Sequence, residues 1–253
     1  MAAWAKTNRK PPSNPCYRWL SVRGHALDAA AAAGSVLDGR TLRSLEAAAG
    51  RHLHAVDIDR IKVLVGLHDI GKVLLGFRGK QDRAAPWDAA SECHVRPLIH
   101  LLGEGRSGNL STEQERFAEA AGLIEVADWF ATVDDALNVL EGVFSHHGGP
   151  RVGRPSLPVP FDRQISSHEG TDAISEASAV VEALKAAFPT AFAVGGPPLP
   201  SNPGFLHLLI GLVMQADWMA STLPLEGQPG FSLDGDGFGT SGRLRESTVI
   251  ASG

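Results

Sequence analysis

At 253 residues, with 43% hydrophobic and 20% charged side chains, the chain is long enough to bury a substantial core, and one main domain is expected. A formal net charge of -5 gives no global electrostatic pull towards nucleic acid, so any such contact must rest on local basic patches. The two cysteines, Cys16 and Cys93, belong to no CxxC pair, which excludes a disulfide framework and a thiolate zinc site and makes a cytoplasmic location the default.

Residues 1–24, opening with MAAWAKTNRKPPSNP, lack the apolar core of a signal peptide and read as a short flexible lead-in. Beyond them, apolar residues recur at helical rather than alternating spacing, and no series of strands separated by turns emerges, which predicts an all-α protein. The first helix begins near His25 in GHALDAAAAAGSVLDG, with Gly39 after its end. The next runs from Asp57, read as its N-cap, through IDRIKVLVGL and delivers His68 and Asp69 at its C-terminal end. STEQ at Ser111 resembles a capping box, and TVDDALNVLEGVF predicts a helix that ends at His146 and His147 before a Gly-Gly-Pro sequence. HEGTDAISEASAVVEALKAAF is amphipathic and helical, while GGPRVGRPSLPVP and VGGPPLPSNPG are Pro/Gly-rich loops. The last clear helix is Phe205 to Ser221; its longest apolar run ends at Met214, contains His207 and is too short to span a bilayer, so no membrane partner is expected. Residues 223–253 read as a linker-like tail.

The polar residues at these helix ends raise the question of chemistry. VLVGLHDIGKVLLGF is an apolar run broken by His68, Asp69 and Lys72, which a satisfied buried His-Asp pair would explain as readily as a functional site. Asp217 similarly interrupts LLIGLVMQADWMAS, where an unpaired carboxylate costs several kcal/mol and calls for a cation or a strong donor. Imidazole nitrogens and carboxylate oxygens suit manganese, iron, cobalt, nickel or zinc. In the His68-Asp69 pair the histidine can hold one ion while the two oxygens of the carboxylate bridge to a second, on which His146 and His147 can converge. Two ions about 4 Å apart can activate water and stabilise the attacking and leaving oxygens of a phosphate ester.

Taken in order, His25, GLHDIGK, FSHHGGP and ADWMAS resemble the HD phosphohydrolase superfamily, most closely the HD nuclease domain of the type I CRISPR-associated helicase-nuclease. The resemblance covers His25 to Ser221 and implies an HD-domain helical bundle over residues 25–222. It implies a two-ion site in which His25, His68, Asp69 and Asp217 surround one ion and Asp69, His94, His146 and His147 the other. In ECHVRPLIHLL, His94 is preferred to His100 because it precedes the apolar helix instead of lying within it. The ions would be manganese, cobalt, nickel or iron rather than magnesium, which prefers an all-oxygen shell. With Asp69 in the catalytic centre, Lys72 would lie near enough to bind a phosphate oxygen.

The implied activity is hydrolysis of single-stranded DNA phosphodiesters in CRISPR interference, with a CRISPR helicase and a surveillance complex as partners. Two local features favour a polynucleotide. Lys72, Arg78, Lys80 and Arg83 stand against Asp82 alone, and Arg151, Arg154 and Arg163 follow the double histidine against Asp162. No GxxxxGK[ST] motif occurs, so a helicase would be a separate chain or a further domain beyond the tail. The alternatives are a phosphohydrolase of small nucleotides and a non-catalytic HD module, the second predicting missing ligands. Elsewhere the plainer reading applies. Asp128 is taken as a structural partner, His52 and His54 as surface residues, His168 and His207 as packed, and Trp129 and Trp218 as core anchors.

Overall fold

The computed structural model describes residues 4–7, 19–78, 93–147, 156–165 and 172–222. The fold is an all-α bundle of the expected HD type. Its centre is α1 (Val22–Val36), which packs against α3 (Ala55–Leu67) and α11 (Pro203–Thr222). The alanine run of α1 makes this close approach possible, since Ala26, Ala29, Ala30 and Ala33 are all essentially inaccessible. Gly66 on α3 serves the same end, because a Cβ there would stand 2.7 Å from Leu184 and 3.1 Å from the Ala26 carbonyl. Around this layer lie α5 (Val95–Ser107), α6 (Thr112–Ala120), α8 (Val133–Phe144) and α10 (Ala173–Ala187).

Local signals account for several boundaries. Ser111 forms the anticipated capping box: its hydroxyl accepts from the Gln114 amide at 3.2 Å, and the Gln114 side chain accepts from the Ser111 amide at 2.8 Å. Asp57 is not the N-cap of α3 but its third residue, where it accepts from the His54 amide at 2.9 Å; Arg51 also grips it through two bonds of 2.7 and 2.9 Å. The segment after Gly39, left unassigned by the periodicity, is a helix, α2 (Gly39–Ala49), capped by Asp38 and ended by left-handed Gly50 at φ 67°. Gly39 therefore opens a helix as well as following one.

The lead-in is not featureless. Trp4–Thr7 and Trp19–Ser21 pair as an antiparallel ribbon, β1 and β2, that contacts α1 and the turn after α3. Strands this short, separated by a proline-rich stretch, leave no alternation to detect. Trp129 is a core residue at 4% exposure, whereas Trp218 is 71% exposed and anchors nothing in the core. His207 is likewise exposed rather than packed, Asp128 is exposed, and His52 and His54 are at the surface as anticipated. Among the described residues no helix is long and apolar enough to cross a membrane.

Candidate metal centre

Five segments far apart in sequence converge on one buried point. α1 supplies His25, and the last turn of α3 delivers His68 and then Asp69, which opens a 3-10 turn over Ile70–Val73. His94 stands at the N-cap of α5, where Pro97 falls within the first turn and needs no hydrogen-bond acceptor for a missing N–H. His146 and His147 follow α8, and Asp217 projects from α11. His25, His68, Asp69, His94, His146 and Asp217 are all buried at 7% exposure or less, while His147 lies exposed at the rim.

Asp69 is the hinge between two clusters. Its Oδ2 lies 3.1 Å from His25 Nε2 and 3.3 Å from His68 Nε2, and its Oδ1 lies 2.9 Å from His94 Nε2 and 3.8 Å from His146 Nε2. On the first side, Asp217 Oδ1 sits 3.1 Å from His25 Nε2 and 3.5 Å from His68 Nε2. On the second side the His146 and His147 rings are 4.0 Å apart between centroids and the His94 and His147 rings 5.2 Å. Two four-donor sets result, His25/His68/Asp69/Asp217 and Asp69/His94/His146/His147, each with ligating atoms within 4.8 Å of one another.

Helix backbone aims two of these rings. His68 Nδ1 lies 2.6 Å from the Val65 carbonyl and His146 Nδ1 lies 3.1 Å from that of Val143, each three residues back, so both rings turn Nε2 inward. His68 Nε2, Asp69 Oδ1, His94 Nε2 and His146 Nε2 are all buried without a hydrogen-bond partner. Four such atoms facing one another would be costly in a core, and divalent ions are the species that satisfy them together. The donor set therefore fits the metal.

The electrostatics are those of a cluster waiting for positive charge. Burial works against ionisation of Asp69, yet Lys72, His68 and His94 outweigh it and hold the carboxyl well below its usual range. Asp217 is likewise opposed by burial and held far down by the neighbouring His25 and His68. Burial also opposes the charge on His68, but Asp69 and Asp217 carry its pKa up to about 9. His146 goes the other way, to about 3, through burial and the neighbouring His68 charge; burial also lowers His94 and His147. The second cluster thus presents neutral imidazoles, the form in which histidine binds metal.

Lys72 lies at the centre, near enough to the donors to meet the expectation from its spacing after His68. It is 4% exposed and its ammonium is ion-paired directly with Asp69 Oδ2. Arg78 is half-buried at the end of α4 (Leu75–Arg78), and Lys80 lies outside the described residues, as do Arg83, Arg151, Arg154 and His168. Arg163 is exposed on α9 (Phe161–Gln164). His100 is not in the centre; it sits on α5 with Nε2 3.4 Å from Glu104 Oε1. Three contributors had no role assigned from the sequence: Ser221, whose hydroxyl donates to Asp217 Oδ1 at 3.0 Å; Phe77, whose ring stands edge-on to His94 at 5.3 Å; and Gly71. Only Ser221 left a signal, the four-residue spacing from Asp217 on one helix face.

The family model described as "Cas3, HD domain" matches residues 4–224. The chain belongs to the Cas3 HD-domain family. The match begins in the β1–β2 ribbon and ends just past α11, so it takes in every donor of both clusters. Among solved structures, T. fusca Cas3 with ATP is 21% identical with a TM-score of 0.59, covering 99% of this chain and 26% of that one. A CRISPR RNA-guided surveillance complex in a pre-nicking state contains a chain 20% identical with a TM-score of 0.53, covered over 99% of this chain and 28% of that one. A third, titled a CRISPR-associated protein, is 17% identical at a TM-score of 0.54, with 99% and 26% covered. These similarities extend to the fold, and the chain spans about a quarter of the length of the Cas3 structures it matches. No curated protein matches it.

Proposed function

We propose that the chain is a metal-dependent nuclease domain that hydrolyses phosphodiester bonds of single-stranded DNA in type I CRISPR interference, in the cytoplasm. The observation that carries this reading is the sharing of Asp69 between two four-donor clusters, His25/His68/Asp69/Asp217 and Asp69/His94/His146/His147, in a chain of the Cas3 HD family. Two divalent ions, manganese, cobalt, nickel or iron in preference to magnesium, would supply water activation and stabilisation of charge on the phosphate oxygens. The chain's own residues do the rest. The helix-end carbonyls of Val65 and Val143 fix the directions of His68 and His146, and the apolar residues around His25 and His68 keep bulk water from that side of the centre. His147, exposed at the rim, marks the side from which a strand enters.

Lys72 balances Asp69 while no ion is bound and turns to a phosphate oxygen once the carboxylate is engaged. Arg78 and Lys80 would bind further phosphates of the strand. Residues 25–222 form the hydrolytic unit, and a helicase, as a further domain or a separate chain, delivers DNA opened by a surveillance complex. The test is to incubate the purified chain with circular single-stranded DNA, duplex DNA, RNA and deoxynucleoside triphosphates across a divalent-metal panel. Cleavage confined to single strands supports the proposal, and faster hydrolysis of the triphosphates than of any polynucleotide assigns the site to small nucleotides instead.

A further inference from the structure

We infer that Gly71 is a positioning residue for the second ion site, and that its missing side chain sets where His94 stands. The inference rests on the two-ion reading above. Asp69 reaches His94 across a short gap, 2.9 Å between Oδ1 and Nε2, although the two residues belong to different elements separated by a long stretch of chain. What brings them together is backbone contact. A Cβ built on Gly71 would lie 2.0 Å from the carbonyl oxygen of His94 and 3.0 Å from its carbonyl carbon, with Leu98 Cδ1 at 3.1 Å.

The first of these distances is well inside any non-bonded contact, and the atom it meets is main chain, which cannot swing aside as a side chain would. The start of α5 therefore rests directly on the 3-10 turn that carries Asp69 and Lys72, and it can do so only where residue 71 has no side chain. Gly71 is not needed for its own torsion angles: it lies within the helical turn and not in the left-handed region, so alanine fits its backbone without strain. The whole consequence of a methyl group at 71 is thus delivered to His94. The ring of Phe77, edge-on to His94 at 5.3 Å, packs against the same imidazole.

The two clusters must respond differently. His25, His68 and Asp217 come from α1, α3 and α11, none of which is met by a Cβ at position 71. Pushing the start of α5 away moves His94 out of reach of Asp69 Oδ1 and leaves the first set in place. The experiment is metal titration of the intact chain with manganese and cobalt, read by elemental analysis after equilibrium dialysis and by the visible absorption of bound cobalt. Gly71→Ala is expected to keep the first ion at parental affinity and to lose about 10–100-fold for the second, the range found when a group orienting a ligand is removed. Phe77→Leu, which keeps the glycine and removes the ring that stands against His94, is expected to weaken the same ion more than the first. In a His94→Ala background, Gly71→Ala should have no further effect on ion content.

Two ions bound by Gly71→Ala at parental affinities would overturn the inference, as would equal weakening of both or failure of the variant to fold, because each would place the role of the glycine in the core or nowhere. A parent chain that itself binds a single ion would instead refute the two-ion reading on which the inference stands.

Discussion

Asp69→Ala offers the sharpest test of how the centre is built, because it separates the cost of an unpaired charge from the loss of a ligand. In the metal-free chain the Asp69 carboxylate is the acceptor for the Lys72 ammonium, and it also faces His25, His68 and His94. Removing it strands an ammonium that is only 4% exposed. Breaking a buried ion pair from one side costs about 3–5 kcal/mol. At about 2–4 °C of melting temperature per kcal/mol for a domain this size, the variant should melt about 6–20 °C below the parent in EDTA. Adding Lys72→Met removes the stranded charge while keeping the length of the stem, so the double variant should recover most of that loss. Metal content should not recover: with the shared carboxylate gone, both variants should hold neither ion after saturating dialysis. The assay is a thermal melt in EDTA paired with elemental analysis after metal loading. The reasoning fails if Asp69→Ala melts within about 2 °C of the parent, if Lys72→Met brings no recovery, or if either variant retains an ion.

The two clusters should also come apart on single substitution. His146→Ala should leave about one ion per chain and His25→Ala the other one, as read by elemental analysis. Manganese, cobalt or nickel should support faster cleavage of single-stranded DNA than magnesium at equal concentration; a magnesium rate equal or higher would contradict an imidazole-rich donor set. Away from the centre, burial opposes the charge of Asp57, but the two bonds from Arg51 prevail and hold its carboxyl below the usual range. A depressed folded-state value means the pair's stabilisation is fully present above the ordinary carboxylate pKa, about 3.9, and is lost as pH falls through the lower folded value. Asp57→Asn should accordingly cost about 1–3 kcal/mol in urea titrations at pH 7, with the gap to the parent closing under strongly acid conditions.

Much of the centre could be read from the sequence because its donors break apolar patterns. His68, Asp69 and Asp217 are polar interruptions of core-forming runs, and the helices that carry them announce themselves by period and by caps such as Ser111. What remained hidden depends on contacts between distant segments. The edge of Phe77 against His94 and the seat of α5 on Gly71 have no expression in local spacing. The β1–β2 ribbon failed to register for the same reason, since a three-residue strand is defined by its partner and not by itself. Trp218 shows the opposite error: an aromatic residue beside a buried ligand on an apolar helix invites a core assignment, but one residue's rotation about α11 turns it outward while Asp217 faces in.

The contact between His25 and Asp217 joins residues 192 positions apart. A chain emerging from the ribosome has His68, Asp69, His94, His146 and His147 in hand well before α11 exists, so the second donor set can be complete while the first still lacks a member. Metal captured during synthesis would then enter the two positions in a fixed order, the later one admitting its ion only after α11 has folded back onto α1. Occupancy of that position becomes a signature of a completed helical bundle, and a truncation just short of Asp217 would be recognisable by its ion content even where most of that bundle had formed.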